Sequence, residues 1–358
     1  MKGIIPIGGR GTRMRPVTYS VNKHFIPVAN LLLIEYPIKT LVEAGVTEIG
    51  ITYNPGQLVL AKEILGDGSD WGAKFTYILQ PEPLGLANIV HVAEDFIGDD
   101  KFIFHLGDNI FIDGVKELVE KFEKEDFDGL VAKLEHEENK RMGVPYFDEE
   151  GRLQKYVEKP EDPPHKFAVP GVYLATAKVF DAFKGKDKIK PSDRGEYEIA
   201  DLFQWMIDKG MKVGVHEYEG LWLDPGKFND WLESNQIILD RHAVRQIDGE
   251  IDSKSVLEGR VEVGEGTVIE NSKIRGPVRI GKNVKIKDSF IGPFTSVYHD
   301  TVIEHCRVEN SVIMENSKMK NLHSPVDSSI VGKGGEVSDD GQEGVLELFI
   351  GTGSKVRL

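Results

Sequence analysis

One cysteine, Cys306, is all the chain carries, which excludes an internal disulfide framework and any multi-cysteine zinc site. Its plain reading is a small buried hydrophobe. No apolar run approaches the roughly 18 residues of a membrane-spanning helix. Lys2-Gly3 leads straight into a strand pattern rather than a signal peptide. The expectation is a soluble, cytoplasmic protein with no membrane partner. The ten histidines show no ligand spacing. Net charge is −15 over 358 residues, which argues against nucleic acid, whose phosphates need a basic surface. Yet from Met1 to Ile34 there is not one Asp or Glu.

That acid-free stretch holds Gly8-Gly9-Arg10-Gly11-Thr12-Arg13-Met14-Arg15-Pro16, after the apolar run Gly3-Ile4-Ile5-Pro6-Ile7, and continues to Lys23 and Pro27-Val28. Glycines let a backbone turn sharply and present its N–H groups to a ligand. Arginines offer planar forks suited to phosphate oxygens, and Lys23 adds a compact charge. A basic glycine-rich loop in an acidic chain reads as a polyphosphate cradle. It is not a P-loop, because no Gly-x4-Gly-Lys-Ser/Thr run exists; Gly351-Thr352-Gly353-Ser354-Lys355 only imitates one. Nor is it a Rossmann fingerprint. Met14 stands where Gly or Ala belongs, and the nearest acid, Glu35, falls in a helical pattern.

Residues 1–240 alternate strand and helix patterns: strands at 48–52, 74–79 and 102–106, helices at 33–44, 58–65 and 85–93, the first ended by Gly45. Such alternation predicts a mostly parallel sheet with helices on both faces and ligands at the carboxyl ends of the strands. From about residue 241 to 358 the texture changes. Val263-Gly264, Ile269-Glu270, Ile280-Gly281, Ile286 and Ile291-Gly292 put an aliphatic residue about every six positions, with small residues between. This is the hexapeptide repeat of a parallel β-helix, in which stacked coils supply the core. Gly332 to Gly344 reads as a loop and Val345–Ile350 as a closing strand.

The loop resembles the signature of the sugar-1-phosphate nucleotidylyltransferases, Gly-Gly-x-Gly-Thr-Arg-x-x-Pro-x-Thr followed by Lys and Pro-Val. The whole chain looks most like the long-form glucose-1-phosphate thymidylyltransferases. The resemblance implies an α/β fold, a Rossmann-like nucleotidyltransferase domain followed by a left-handed parallel β-helix. It also implies transfer from dTTP or UTP to a sugar 1-phosphate. Asp108, in Leu106-Gly107-Asp108-Asn109, and Asp224, in Trp222-Leu223-Asp224-Pro225-Gly226, match elements that hold Mg²⁺ in the family, and hard carboxylate oxygens suit that ion. By the same resemblance Arg13 and Lys23 are catalytic with the two aspartates. Gly8, Gly9, Gly11, Thr12, Gln80 and Gly85 bind the nucleotide, Gln80 through an amide able to pair with an imide edge. Gly143, Glu158, Lys159, Val169 and Trp222 take the sugar phosphate. Arg194-Gly195-Glu196-Tyr197-Glu198-Ile199 also matches, without an assigned role.

The match breaks at Pro6-Ile7, where relatives carry Leu-Ala, and at Leu31-Leu32, where they carry Lys-Pro. Proline removes a donor at the end of a central strand. These departures leave a second reading open, a catalytically weak homologue acting as a nucleotide-sugar-binding or regulatory subunit. The β-helix shows no acyl-transfer constellation and is expected to hold subunits together in a homo-oligomer. Thymine and uracil differ by a methyl group worth about 1–3 kcal/mol, too little to be read from a few side chains.

Overall fold

The computed structural model describes residues 1–9 and 11–339; Arg10 of the basic loop and the expected closing strand Val345–Ile350 lie outside the described residues. The chain forms two compact units. One joins Met1–Gly9 to Ile34–Trp222; the other, among the described residues, joins 11–33 to 223–339. Among the described residues no helix is long and apolar enough to cross a membrane.

The first unit is built on a mixed sheet. Its strands are β1 (Lys2–Pro6), β2 (Glu48–Tyr53), β3 (Lys74–Leu79), β4 (Phe102–His105), β5 (Gly129–Glu135), β6 (Phe167–Ala168), β7 (Val172–Ala175) and β8 (Val213–Glu217), in the order β6-β5-β7-β4-β1-β2-β3 with β8 against β5. The run β4-β1-β2-β3 is parallel, as the alternating pattern predicts. β7 runs antiparallel to both β4 and β5 and makes the sheet mixed. Ile4, Ile5, Ile49, Ile51, Ile103 and Phe104 are wholly buried, which is why these strands read as near-continuous apolar runs. Helices α1 (Glu35–Glu43), α2 (Leu58–Leu65), α3 (Leu86–Val92), α4 (Lys116–Lys124) and α5 (Ile199–Asp208) fall within a residue or two of the predicted spans where these were given. Gly45, at φ +83°, lets Val46 N–H reach back 2.9 Å to the Leu41 carbonyl and close α1.

Pro6 does no damage to this sheet. Ile7 N–H reaches the Thr52 carbonyl at 2.8 Å, so the neighbouring nitrogen of Pro6 points the other way. On that side the pairing with β4 has already ended at Ile4–Phe104.

The second unit contains α6 (Phe228–His242) and a stack of short strands forming three parallel sheets of six, six and five strands among the described residues. This is consistent with a left-handed β-helix. Val261, Val278 and Thr295 stand in register, as do Ile269, Ile286 and Ile303, and Ile274, Ile291 and Val308, each 17 residues from the last. Strict hexapeptides would give 18. The difference lies at the corner between the second and third sheets, where Ile269 to Ile274, and Ile286 to Ile291, span five residues. Asn271, Asp288 and His305 occupy this corner with φ between +43° and +52°, a left-handed turn that Asn and Asp tolerate best. Cys306 is buried, as predicted, and burial pushes its thiol up. Its N–H continues a ladder in which Ser272 N–H meets Ser255 Oγ, Ser289 N–H meets Ser272 Oγ, and Cys306 N–H meets Ser289 Oγ, at 3.0–3.1 Å.

Candidate active site

In the first unit Gly8 and Gly9 follow β1 directly. A β-carbon on Gly8 would strike Asn54 Oδ1 at 2.5 Å, so the small residue is required by packing. Gly9, at φ +110°, has open space where a side chain would stand, and its N–H points to Asn54 Oδ1 at 3.3 Å. Asn54 Nδ2 donates to Gln80 Oε1 at 3.2 Å, and Gln80 Nε2 donates to Asn88 Oδ1 at 2.9 Å. The buried Gln80 amide is thereby fixed in orientation, with one lone pair of Oε1 beyond the Asn54 bond. Gly85, at φ +98°, would put a β-carbon 2.6 Å from the Tyr197 carbonyl. Its size serves the close pairing of 84–87 with Tyr197, where Tyr197 N–H meets Leu84 O at 2.7 Å and Ala87 N–H meets Tyr197 O at 2.9 Å.

Asp108 follows β4 and is half-buried. Asn109 holds it: Nδ2 donates to Asp108 Oδ1 at 3.0 Å, while Asn109 Oδ1 accepts from Trp222 Nε1 at 3.0 Å. Gly171, at φ +66°, leaves room for this, since a β-carbon there would lie 2.5 Å from Asn109 Oδ1. Trp222 also meets the edge of His136, ring centroids 5.6 Å apart.

Four of the expected sugar residues, Gly143, Glu158, Lys159 and Val169, adjoin one another, while Trp222 meets Asn109 and His136. Gly143 pairs with Glu158 across an antiparallel ladder, Val169 N–H donates to Gly143 O at 2.9 Å, and Lys159 N–H to Met142 O at 3.0 Å. Lys159 Nζ lies 2.9 Å from Glu158 Oε1, and Arg194 Nη2 lies 2.8 Å from Glu198 and 3.7 Å from Glu158. Burial, then the charges of Glu198 and Glu158, push the Asp201 carboxyl up. Gly143 backs onto the Tyr156 hydroxyl, which a β-carbon would overlap. Burial holds the phenols of Tyr156 and Tyr173 protonated, well above the ordinary range.

In the second unit the basic turn and Asp224 come together. Gly11, at φ +54°, opens a short turn over Thr12–Met14 and accepts Thr18 Oγ1 at 2.7 Å through its carbonyl. Thr12 and Arg13 are exposed while Met14 is wholly buried, so the turn is anchored by Met14 and presents Arg13 outward. Lys23 Nζ is 3.5 Å from Asp224 Oδ1, with side-chain exposures of 9% and 35%. A β-carbon on Gly226 would stand 3.0 Å from Arg13 Nη2 and 3.1 Å from Asp224 Oδ1. Arg13 and Asp224 thus border the same glycine, and Lys23 meets the same carboxylate.

Sequence reasoning missed Asn54 and Asn88, and it quoted Asn109 beside Asp108 without giving it a role. Asn54 and Asn88 are lone amides outside the glycine-rich loop and the repeat, and only the fold shows what each of the three holds.

The nucleotidyl transferase family model matches residues 2–241. A low-salt glycan biosynthesis nucleotidyltransferase of Haloferax volcanii is 39% identical, with 100% of each chain covered. A glucose-1-phosphate thymidylyltransferase of Streptomyces antibioticus is 35% identical over 100% of this chain and 99% of its own. Among solved structures, a Bacillus anthracis protein described as a glucose-1-phosphate thymidylyltransferase, in complex with sucrose, is 33% identical with a TM-score of 0.62. That match covers 68% of this chain and 96% of the other. With a family match over most of its length and relatives aligned end to end, the chain belongs to the nucleotidyl transferase family.

Proposed function

We propose that this protein transfers a nucleotidyl group from dTTP or UTP to a sugar 1-phosphate, glucose 1-phosphate first among them. Residues 1–240 act as the transferase span and 241–358 as an appended β-helix. A phosphate oxygen of the sugar attacks the α-phosphorus, the bond to the β-phosphate breaks, and pyrophosphate leaves. A phosphate monoester has a second pKa near 6, so the nucleophile is ionised at neutral pH without a general base. The work of the protein is then alignment and charge neutralisation.

The observation that carries this reading is the meeting of Lys23 and Asp224, 3.5 Å apart, beside the glycine that Arg13 also borders. Arg13 and Lys23 take the triphosphate and the charge of departing pyrophosphate, with Gly8, Gly9, Gly11 and Thr12 lining its path. Gln80 Oε1 accepts the imide N–H of the base, beside Gly85. Glu158 accepts sugar hydroxyls, Lys159 takes the sugar phosphate, and Gly143, Val169 and Trp222 bound the sugar. Asp108 and Asp224 are the Mg²⁺ ligands of the proposal, since their oxygens are the donors this ion prefers. Asn109 sets the orientation of Asp108. When bound, the ion supplies Lewis-acid charge and a template for the reacting phosphates.

A matrix of nucleoside triphosphates against sugar 1-phosphates, read by pyrophosphate release with Mg²⁺, tests the proposal. Release that requires both substrates, with dTTP or UTP preferred, supports it. Tight binding with no release from any pair supports instead a binding or regulatory subunit.

A further inference from the structure

Between Lys23 and α1 the chain makes a tight hairpin, Pro27–Val28 paired with Leu31–Leu32, turned by Ala29 and Asn30 at φ +46° and +60°. Left-handed backbone suits Asn but strains an alanine, whose β-carbon crowds the following carbonyl. Both polar backbone groups of Ala29 are gripped. Its N–H donates to Asn235 Oδ1 of α6 at 2.8 Å, and its carbonyl accepts Arg279 Nη1 of the β-helix at 2.9 Å. Asn30 Nδ2 inserts between two successive coils, donating to the carbonyls of Arg279 at 3.2 Å and Val297 at 2.8 Å.

The grip is itself braced. Arg279 Nη2 donates to the His242 carbonyl at the end of α6, and its Nε lies 2.9 Å from Glu262 one coil earlier. Asn235 accepts Ser296 Oγ at 2.7 Å and donates to Phe294 O at 3.0 Å. Trp231 Nε1 donates to Pro27 O at 2.7 Å. The hairpin is linked to Lys23 by short steps: Leu33 N–H meets Ile26 O at 2.9 Å, and Ile26 N–H reaches Lys23 O at 3.4 Å. Asp224 lies four residues before α6, which supplies Trp231 and Asn235.

We propose that the β-helix is a positioning element for transfer: it clasps the 27–32 hairpin and so fixes Lys23 and the Arg13 turn against Asp224. Asn30, Asn235 and Arg279 are the positioning residues. The inference rests on the proposed function for its catalytic consequence, while the clasp itself stands on the contacts above. A displacement of about 1 Å in an aligned group can cost on the order of a hundredfold in rate, so a loosened clasp acts on turnover before it acts on folding.

The test uses the full chain with two variants. Asn30→Gly keeps a left-handed turn and removes the inserted amide; Arg279→Lys keeps a positive charge beside Glu262 and removes the fork. Each is expected to lower kcat about tenfold, to leave the KM for sugar 1-phosphate and the unfolding midpoint unchanged, and to speed amide hydrogen exchange across residues 11–33. Wild-type kcat and exchange in both folded variants would overturn the proposal, as would a kcat loss matching a loss of folded protein. If the wild-type chain releases no pyrophosphate, the functional reading fails, and the exchange arm alone decides the clasp.

Discussion

In the sheet unit, the polar groups around the candidate site are held by bonds that occur once: Asn54 to Gln80, Gln80 to Asn88, Trp222 to Asn109. In the β-helix unit one bond recurs coil after coil, from Ser255 through Ser272 and Ser289 to Cys306. A repeated bond between neighbours spreads its energy along the stack. A single-use amide network concentrates it on one geometry, and losing a member leaves buried partners unmet. The contrast teaches that a substitution in the single-use amide network should disturb one geometry beside the candidate site, whereas one in the repeated ladders inside the coils should fall on stability.

The largest effects should come from the charged site groups. Arg13→Ala and Asp108→Asn are each expected to cut turnover by about 10²–10³, roughly 3–4 kcal/mol if the contact is worth what an oxyanion donor is, with unfolding curves unchanged. Wild-type turnover in either would remove that residue from the chemistry.

Next comes a pH effect confined to the sheet unit. Burial pushes His105 down from 6.5 to about 4. Its Nδ1 lies 2.8 Å from the Leu106 carbonyl and donates to it, which leaves Nε2 an acceptor with no hydrogen-bond partner among the described residues. The unfolded chain takes up this proton below about 6.5 and the folded chain only near 4. Stability therefore falls as pH drops through that window, by up to about 3 kcal/mol, and is fully present above it. Urea titrations across the window should show this slope, and His105→Phe should flatten it. An unchanged slope in the variant would place the titrating group elsewhere.

In the coils, Thr267 is wholly buried, donates to Gly281 O at 2.7 Å and accepts from Val284 N–H at 3.0 Å. Thr267→Val keeps its shape and strands that N–H, so a loss of about 1–3 kcal/mol is expected, with kcat intact per folded molecule. A larger fall in kcat than in folded fraction would break the distinction between the coil interior and the residues around the candidate site. The smallest effect is predicted for Gly226→Ala, which presses on Arg13 and Asp224 by a single methyl. Turnover should drop about tenfold, near 1.4 kcal/mol, with no change in the unfolding midpoint; a shifted midpoint with full activity would reassign this glycine to folding.

Much of the fold was readable because it is written locally. The helices at 58–65 and 86–92 and the strands at 48–53 and 74–79 follow apolar spacing and turn residues, and the coils follow a short period. The 17-residue step was not readable as such, since its missing residue is absorbed at a left-handed corner that Asn, Asp and His fill alike. The sequence pointed to the candidate site where charge clusters, as at Arg13, Lys23 and Glu158-Lys159. The site was illegible where a residue serves by long-range contact. Nothing near Ala29-Asn30 announces that its partners lie at Asn235, Arg279 and Val297. Gly143 and Gly85 read as ligand approaches, yet each also makes room for a tyrosine, Tyr156 and Tyr197.

The most direct test of nucleotidyl transfer is ³¹P NMR of the full chain incubated with dTTP, glucose 1-phosphate and MgCl₂. The account predicts that the sugar monoester resonance is replaced by a diphosphate ester together with an equal amount of pyrophosphate, and that chelating the magnesium stops both. Conversion of dTTP to dTDP and inorganic phosphate, or a spectrum unchanged while both substrates are bound, would contradict it.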